Sequence, residues 1–194
     1  DADPVTQTRR RSFDSWQPKI TIKYNWNDDV MTYATVSTGF RSGGYNSPNP
    51  SIVARGISVF EDETLTNYEV GFKSMLLDRR LIVNAAAFYQ EQNDYQFFLV
   101  DFLTGSQIIQ NIDKVSMRGV EFEFQALLAD GLDVFGGFGL TNSEIRKYAG
   151  AGAFVGNEAP TTPKYTINFG AQYVYPVTDG FDGVLRVDYQ RQGK

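Results

Sequence analysis

The stretch that decides the fold is WQPKITIKYNW, residues 16–26. Trp16, Pro18, Ile20, Ile22, Tyr24 and Trp26 fall on one parity, and Gln17, Lys19, Thr21, Lys23 and Asn25 on the other. Successive side chains of a strand point to opposite faces. Extended, this is a ribbon with one oily side and one hydrated side, and the question is whether the oily side meets a protein core or lipid.

The same alternation recurs along the chain. Residues 164–175 put Tyr165, Ile167, Phe169, Ala171, Tyr173 and Tyr175 on one face. Residues 67–73 do so with Tyr68, Val70 and Phe72, residues 119–126 with Val120, Phe122, Phe124 and Ala126, and residues 184–190 with Leu185, Val187 and Tyr189. Softer patterns cover 30–40, 81–92 and 132–142. Eight strands are predicted, and no helical period competes over a comparable length. The connections alternate in length. Short turns fall at Asn27–Asp29, Asp78–Arg80, Ala129–Gly131 and Val177–Asp182. Longer ones run from Arg41 to Leu65, from Asp94 to Asp113 with a tip at Thr104-Gly105, and from Tyr148 to Pro163. In an up-and-down sheet this sorts every short turn to one end and every long loop to the other. Outer-membrane barrels have that asymmetry, whereas the Greek-key connections of a soluble sandwich mix loop lengths.

The composition narrows the chemistry. Among 194 residues there is no cysteine and no histidine, which removes disulfides, thiolate sites, the commonest general base and the commonest metal ligand. No enzymatic activity, catalytic residue, resident metal or cofactor is implied. The net charge of −5 comes from interspersed charges, which argues against a nucleic-acid partner. The one basic run, Arg9-Arg10-Arg11, reads as a solvated loop. No apolar run is long enough for a membrane-spanning helix, but strands that hide their hydrophobicity at alternate positions remain able to cross.

Aromatics at the ends of the apolar parity decide between core and lipid. Trp16, Trp26, Tyr68, Tyr89, Tyr165, Tyr173, Tyr175 and Tyr189 stand near strand ends, where a half-buried ring with a wet polar tip suits a membrane interface. The reading is all-β: an antiparallel up-and-down transmembrane β-barrel. A soluble carbohydrate-binding β-sandwich is the alternative. Eight strands that begin at the long-loop end return there, putting both ends of the chain outside the cell. An open eight-stranded sheet would also leave two unpaired edges in hydrocarbon. The expectation is therefore an arc of a larger wall, with residues 1–194 a partial barrel domain.

TYATVSTGFRSGGYN (32–46), ETLTNYEVGFKS (63–74), LIVNAAAFYQEQNDYQ (81–96), RGVEFEFQA (118–126) and PTTPKYTINFGAQYVYP (160–176) occur in that order. Together they resemble the C-terminal half of the TonB-dependent outer-membrane receptor barrel. The resemblance implies a barrel of about 22 strands closed by an N-terminal plug, set in the outer membrane of a Gram-negative cell. It implies uptake of ferric siderophores or similar metal complexes, energised through TonB by way of the plug. Carbohydrate or cobalamin cargo is the alternative within the same family. The plug and the final strands are expected to lie outside these residues.

Candidate residues follow. Arg41, Ser42, Tyr45 and Asn46, with Tyr95 and Gln96, are candidate ligand contacts: Arg41 to pair with an anionic complex, Tyr45 to stack on a planar catecholate, Ser42 and Asn46 to exchange hydrogen bonds. Lys73, Glu121, Glu123 and Arg186 are expected to face the lumen and the plug. Glu121 and Glu123 lie about 6.6 Å apart along a strand, a glycosidase-like separation, yet they read as wall charge. GAGAFVG (150–156) lacks the strand–loop–helix context of a nucleotide site and reads as an extracellular loop. Asn27-Asp28-Asp29 lacks the ligand spacing of a calcium loop and reads as a polar turn.

Overall fold

The computed structural model describes residues 10–47, 50–101 and 105–193. Its main element is a single eight-stranded antiparallel sheet in which every strand pairs with its sequence neighbour. The strands are β1 (Lys19–Asn25), β2 (Val30–Arg41), β5 (Glu63–Leu76), β6 (Leu81–Asp101), β7 (Ser106–Ala129), β8 (Leu132–Lys147), β9 (Tyr165–Thr178) and β10 (Phe181–Gly193). A two-stranded ribbon, β3 (Gly44–Tyr45) with β4 (Val59–Phe60), and a short helix α1 (Pro50–Ala54) lie in the β2–β5 connection. The β8–β9 connection carries a 3-10 turn, Gly152–Phe154. No described helix is long and apolar enough to cross a membrane.

The register carries each face across the sheet. One row of partners reads Ile22, Ala34, Val70, Ala87, Val120, Leu140 and Tyr165. An adjacent row of the opposite parity reads Lys23, Tyr33, Gly71, Ala86, Glu121, Gly139 and Thr166. The apolar parity is exposed: Ile22 is 71%, Val70 58% and Val187 64% accessible. No second layer covers this face among the described residues, so the sandwich alternative fails. In a membrane this pattern inverts the usual rule, because lipid takes the place of a core and every backbone group in the hydrocarbon must be paired within the sheet.

The turns match their chemistry. Gly131 closes β7 onto β8 at φ +77°, and a β-carbon there would collide with the carbonyl of Val174. Asn27 accepts the backbone N–H of Asp29 through its side-chain oxygen at 2.9 Å, a local turn device rather than a metal ligand set.

The largest departure from expectation is the β6–β7 connection. Residues 94–113 were expected to form a loop, but both strands run on well past Asp94, pairing as far as Asp101 with Ser106. Gly105 lies in the expected tip, while Thr104 lies outside the described residues. The alternation loses its meaning at the base of this extension, where Tyr95 is covered on one face and Gln96 on the other. Tyr95 and Phe97 pack on one face with Ile112, Val115, Ile145 and Ala159. The buried core therefore sits at the long-loop end, above the wall, and not within it.

Candidate functional site

Arg41 ends β2 opposite Glu63, where the chain leaves the sheet for a connection that folds back over the β6–β7 hairpin. Three side-chain amides fasten that connection to the hairpin. Asn46, buried, donates to the carbonyls of Ile57 at 2.7 Å and Ile109 at 2.8 Å, and accepts the Ile109 N–H at 2.8 Å. Gln96, also buried, donates to the carbonyls of Ser42 and Glu61 at 3.0 Å each. Asn111, the cross-strand partner of Gln96, accepts the Glu61 N–H at 2.8 Å and donates to the carbonyls of Glu61 and Asp94. Buried amides satisfied on both ends rigidify what they join.

The six candidate ligand contacts thus separate. Arg41, Ser42 and Gln96 come together, with Asn46 nearby on the same side of the hairpin. The side chains of Asn46 and Gln96 and the carbonyl of Ser42 are engaged in joining the loops. The guanidinium of Arg41 stands 5.7 Å from the Phe98 ring centre, and Phe98 is 61% exposed. Tyr45, in β3, is 38% exposed. Tyr95 lies on the opposite face of the hairpin, packed in the core with its hydroxyl 3.5 Å from the Pro160 carbonyl, and burial pushes its phenol upward. What faces outward is a cation flanked by aromatic surface, which can take an anionic and flat solute.

Charges gather at the base of these loops. Arg11 pairs with Glu61, so this member of the basic run is bound and not merely solvated. Arg9 lies outside the described residues. The Glu61 carboxyl is held below its usual range by the Arg11 hydrogen bond. Burial raises Asp94, and the charges of Asp113, Asp62 and Glu61 add to the shift. Asp113 is lowered, chiefly by the Ala149 N–H it accepts at 2.7 Å and then by Lys147.

The expected wall residues share the polar face. Lys73, Asn84 and Glu123 form one cross-strand row, and Glu121 lies in the next. Lys73 approaches the Tyr33 ring at 5.8 Å. Arg186 holds Asp188 through two bonds of 2.8 Å and lies 4.8 Å above the Phe135 ring. Asn111 and Phe98 were missed from sequence because the hairpin was ended at Asp94. A paired Gln and Asn inside an otherwise apolar strand pair was the signal available.

A single-layered antiparallel sheet with an uncovered apolar face, a charged opposite face and sorted loops defines a strip of membrane β-barrel wall. The whole chain, residues 1–194, matches the family described as TonB dependent receptor-like, beta-barrel, and it belongs to that family; it is outer-membrane wall. It is 26% identical over 164 residues to the ferrichrome outer membrane transporter/phage receptor of Escherichia coli, covering 84% of this chain and 20% of that one. It is 22% identical over 171 residues to a probable TonB-dependent receptor of Bordetella pertussis, covering 88% and 22%. In fold it is similar to the ferric yersiniabactin uptake receptor of Yersinia pestis, with a TM-score of 0.70, 23% identity, and 90% and 25% coverage. The chain therefore spans about a fifth to a quarter of these proteins.

Proposed function

We propose that these residues are part of the barrel of a receptor that takes up ferric siderophores or similar metal complexes across the outer membrane, driven through TonB. The observation that carries the reading is the pairing of an exposed apolar face with loops fastened at one end only. A wall of that kind holds a fixed outward surface over a hydrated bore. The open edges of β1 and β10 would pair with further strands of the barrel, since unpaired edges are costly in hydrocarbon. Lys73, Glu121, Glu123 and Arg186 would face the bore and meet a plug supplied by another part of the protein. Arg41 with Phe98, and Tyr45 in the same connection, would take part in capturing an anionic, ring-bearing complex. Asn46, Gln96 and the Ser42 carbonyl would serve by holding that surface in place. The role is transport, with no bond-making step assigned to any residue. The relatives' names, ferrichrome and ferric yersiniabactin among them, support the iron-complex class.

Growth tests the reading. The full-length gene, placed in a strain deleted for its own receptors, is expected to restore growth on one or more ferric siderophores supplied as sole iron source, and to require TonB. Restoration of growth on an oligosaccharide or cobalamin instead would overturn the iron assignment.

A further inference from the structure

Resting on the reading of Arg41 and Phe98 as a capture surface, we infer that Asp94 is a proton-operated hinge in the β6–β7 hairpin, which sets how firmly Phe98 is held beside Arg41. Asp94 adopts φ +53° within β6, a left-handed conformation that Asp visits as a single residue. The cross-strand register passes from Asn93 with Lys114 to Tyr95 with Ile112, leaving Asp94 opposite Asp113 outside the regular pairs. The strand faces turn over at this step. By count Ile112 shares the parity of Lys114, yet it packs in one cluster with Val115, and Tyr95 packs against the same cluster. The β7–β8 register also shifts between Lys114 and Val115. The step therefore aims what the hairpin carries beyond it, Gln96 and Phe98 included.

Two carboxylates face each other at the bend, and they are compensated unequally. Asp113 accepts the Ala149 N–H at 2.7 Å and lies 3.5 Å from the Lys147 ammonium. The Asp94 carboxylate takes no hydrogen bond or ion pair from any described residue. Only its main-chain carbonyl is held, by the Asn111 amide at 2.6 Å. The charges that reach it are Asp113 from β7, Glu61 and Asp62 from the β2–β5 connection, and Lys147 from the end of β8; Glu61 is itself paired with Arg11. Partial burial among mostly like charges favours the neutral acid, and Asp94 is raised above its ordinary 3.8. Like charges directly opposite weaken a strand pair. At neutral pH Asn46, Gln96 and Asn111 hold the hairpin against that repulsion. Proton uptake by Asp94 removes it, while Asp113, shifted downward, stays ionised and keeps the Ala149 N–H. Mild acid therefore tightens the hairpin and Phe98 with it, and the Asp113 clasp is released only below 3.8.

Hydrogen exchange of the full-length receptor in vesicles tests the hinge, at about pH 7.5 and about pH 4.5 with the intrinsic chemical rate divided out. Amides of residues 95–100 and 107–112 should exchange about two- to fivefold more slowly in the mild acid, the size of one cross-strand like-charge contact, with residues 67–73 unchanged. Asp94→Asn tolerates the same left-handed conformation without the charge and should show the slower exchange at both pH values. Asp113→Asn should also lose the hairpin response, but with residues 148–163 exchanging faster. A parent without the response, a response of opposite sign, or a full response surviving in Asp94→Asn overturns the hinge. Folding of each variant is checked by heat-modifiable gel mobility, and a flat parent profile overturns the hinge without any variant. A receptor that takes up iron with a hairpin indifferent to pH defeats this inference alone. One that restores growth on no ferric siderophore defeats the capture reading, and the exchange profile still decides the hinge.

Discussion

The ring of Tyr33 occupies the space that a β-carbon on Gly71, its cross-strand partner, would need, while its hydroxyl donates to Glu69 at 2.7 Å. The arrangement repeats across the sheet in Phe88 with Gly119, Phe135 with Gly170, Tyr175 with Gly183 and Tyr165 with Gly193, each a registered pair. An aromatic laid over a strand glycine covers backbone that would otherwise be bare and pins the register.

Gly71→Ala should therefore displace the Tyr33 ring and cost about 1–3 kcal/mol, the usual range for overpacking. Urea unfolding of the full-length barrel in vesicles measures it. Combining it with Tyr33→Ala should recover part of the loss, since the clash disappears with the ring.

Asn111→Ala removes the two hydrogen bonds to Glu61 that join the β2–β5 connection to the hairpin, and a third, to Asp94, within the hairpin. It leaves the Glu61 N–H without that partner while Gln96 still holds the Glu61 carbonyl, a local loss of about 0.5–1.5 kcal/mol. Hydrogen exchange should rise across residues 57–62 with the wall strands unchanged. Uniform exchange in variant and parent would refute the fastening role.

Acid should loosen the β8–β9 loop. Asp113 is a stronger acid folded than unfolded because it accepts the Ala149 N–H and faces Lys147. Its contribution is complete above the ordinary value of 3.8 and is lost as pH falls through the lower folded value. Asp94 is shifted the other way, so its penalty is present at neutral pH and disappears on protonation. Proteolysis within residues 148–163, scanned against pH, should show protection lost in acid in the parent. Asp113→Asn should lack that protection at every pH.

The eight strands were legible because a wall between lipid and water enforces alternation at every residue, as in Ile20, Ile22 and Tyr24 against Lys19, Thr21 and Lys23. Boundaries were legible only where that boundary condition holds. Beyond Asp94, which adopts φ +53°, the base of the hairpin is covered on both faces and Phe98 lies exposed farther out, so Phe97, Phe98 and Leu99 follow no lipid–water period in the sequence. The candidate site suffered similarly. Asn46 and Gln96 stand out in sequence as polar residues in an outward loop, but their partners are main-chain atoms tens of residues away. No local pattern records such a bond. Arg41 was legible as a cation beside a Gly-Gly turn; its aromatic neighbour Phe98 is distant in sequence and was not.

Charge should be tolerated by parity. Val70→Arg places a cation on the apolar face in mid-strand and should cost about 2–4 kcal/mol. Lys73→Gln, on the polar face, should cost well under half of that. Unfolding free energies in vesicles compare the two directly.

Single-cysteine scanning along β5 and β7 is the most direct test, because residues 1–194 hold no cysteine. Each residue from Asn67 to Lys73 and from Val120 to Gln125 would be replaced in turn in the full-length protein in vesicles. A spin label at each site would then be challenged with a lipid-soluble and a water-soluble relaxing agent. Val70, Phe72, Val120, Phe122 and Phe124 should respond to the lipid-soluble agent, and Glu69, Gly71, Lys73, Glu121 and Glu123 should not. Equal response on both parities, or water-soluble access to the apolar one, would contradict a wall with hydrocarbon on that side.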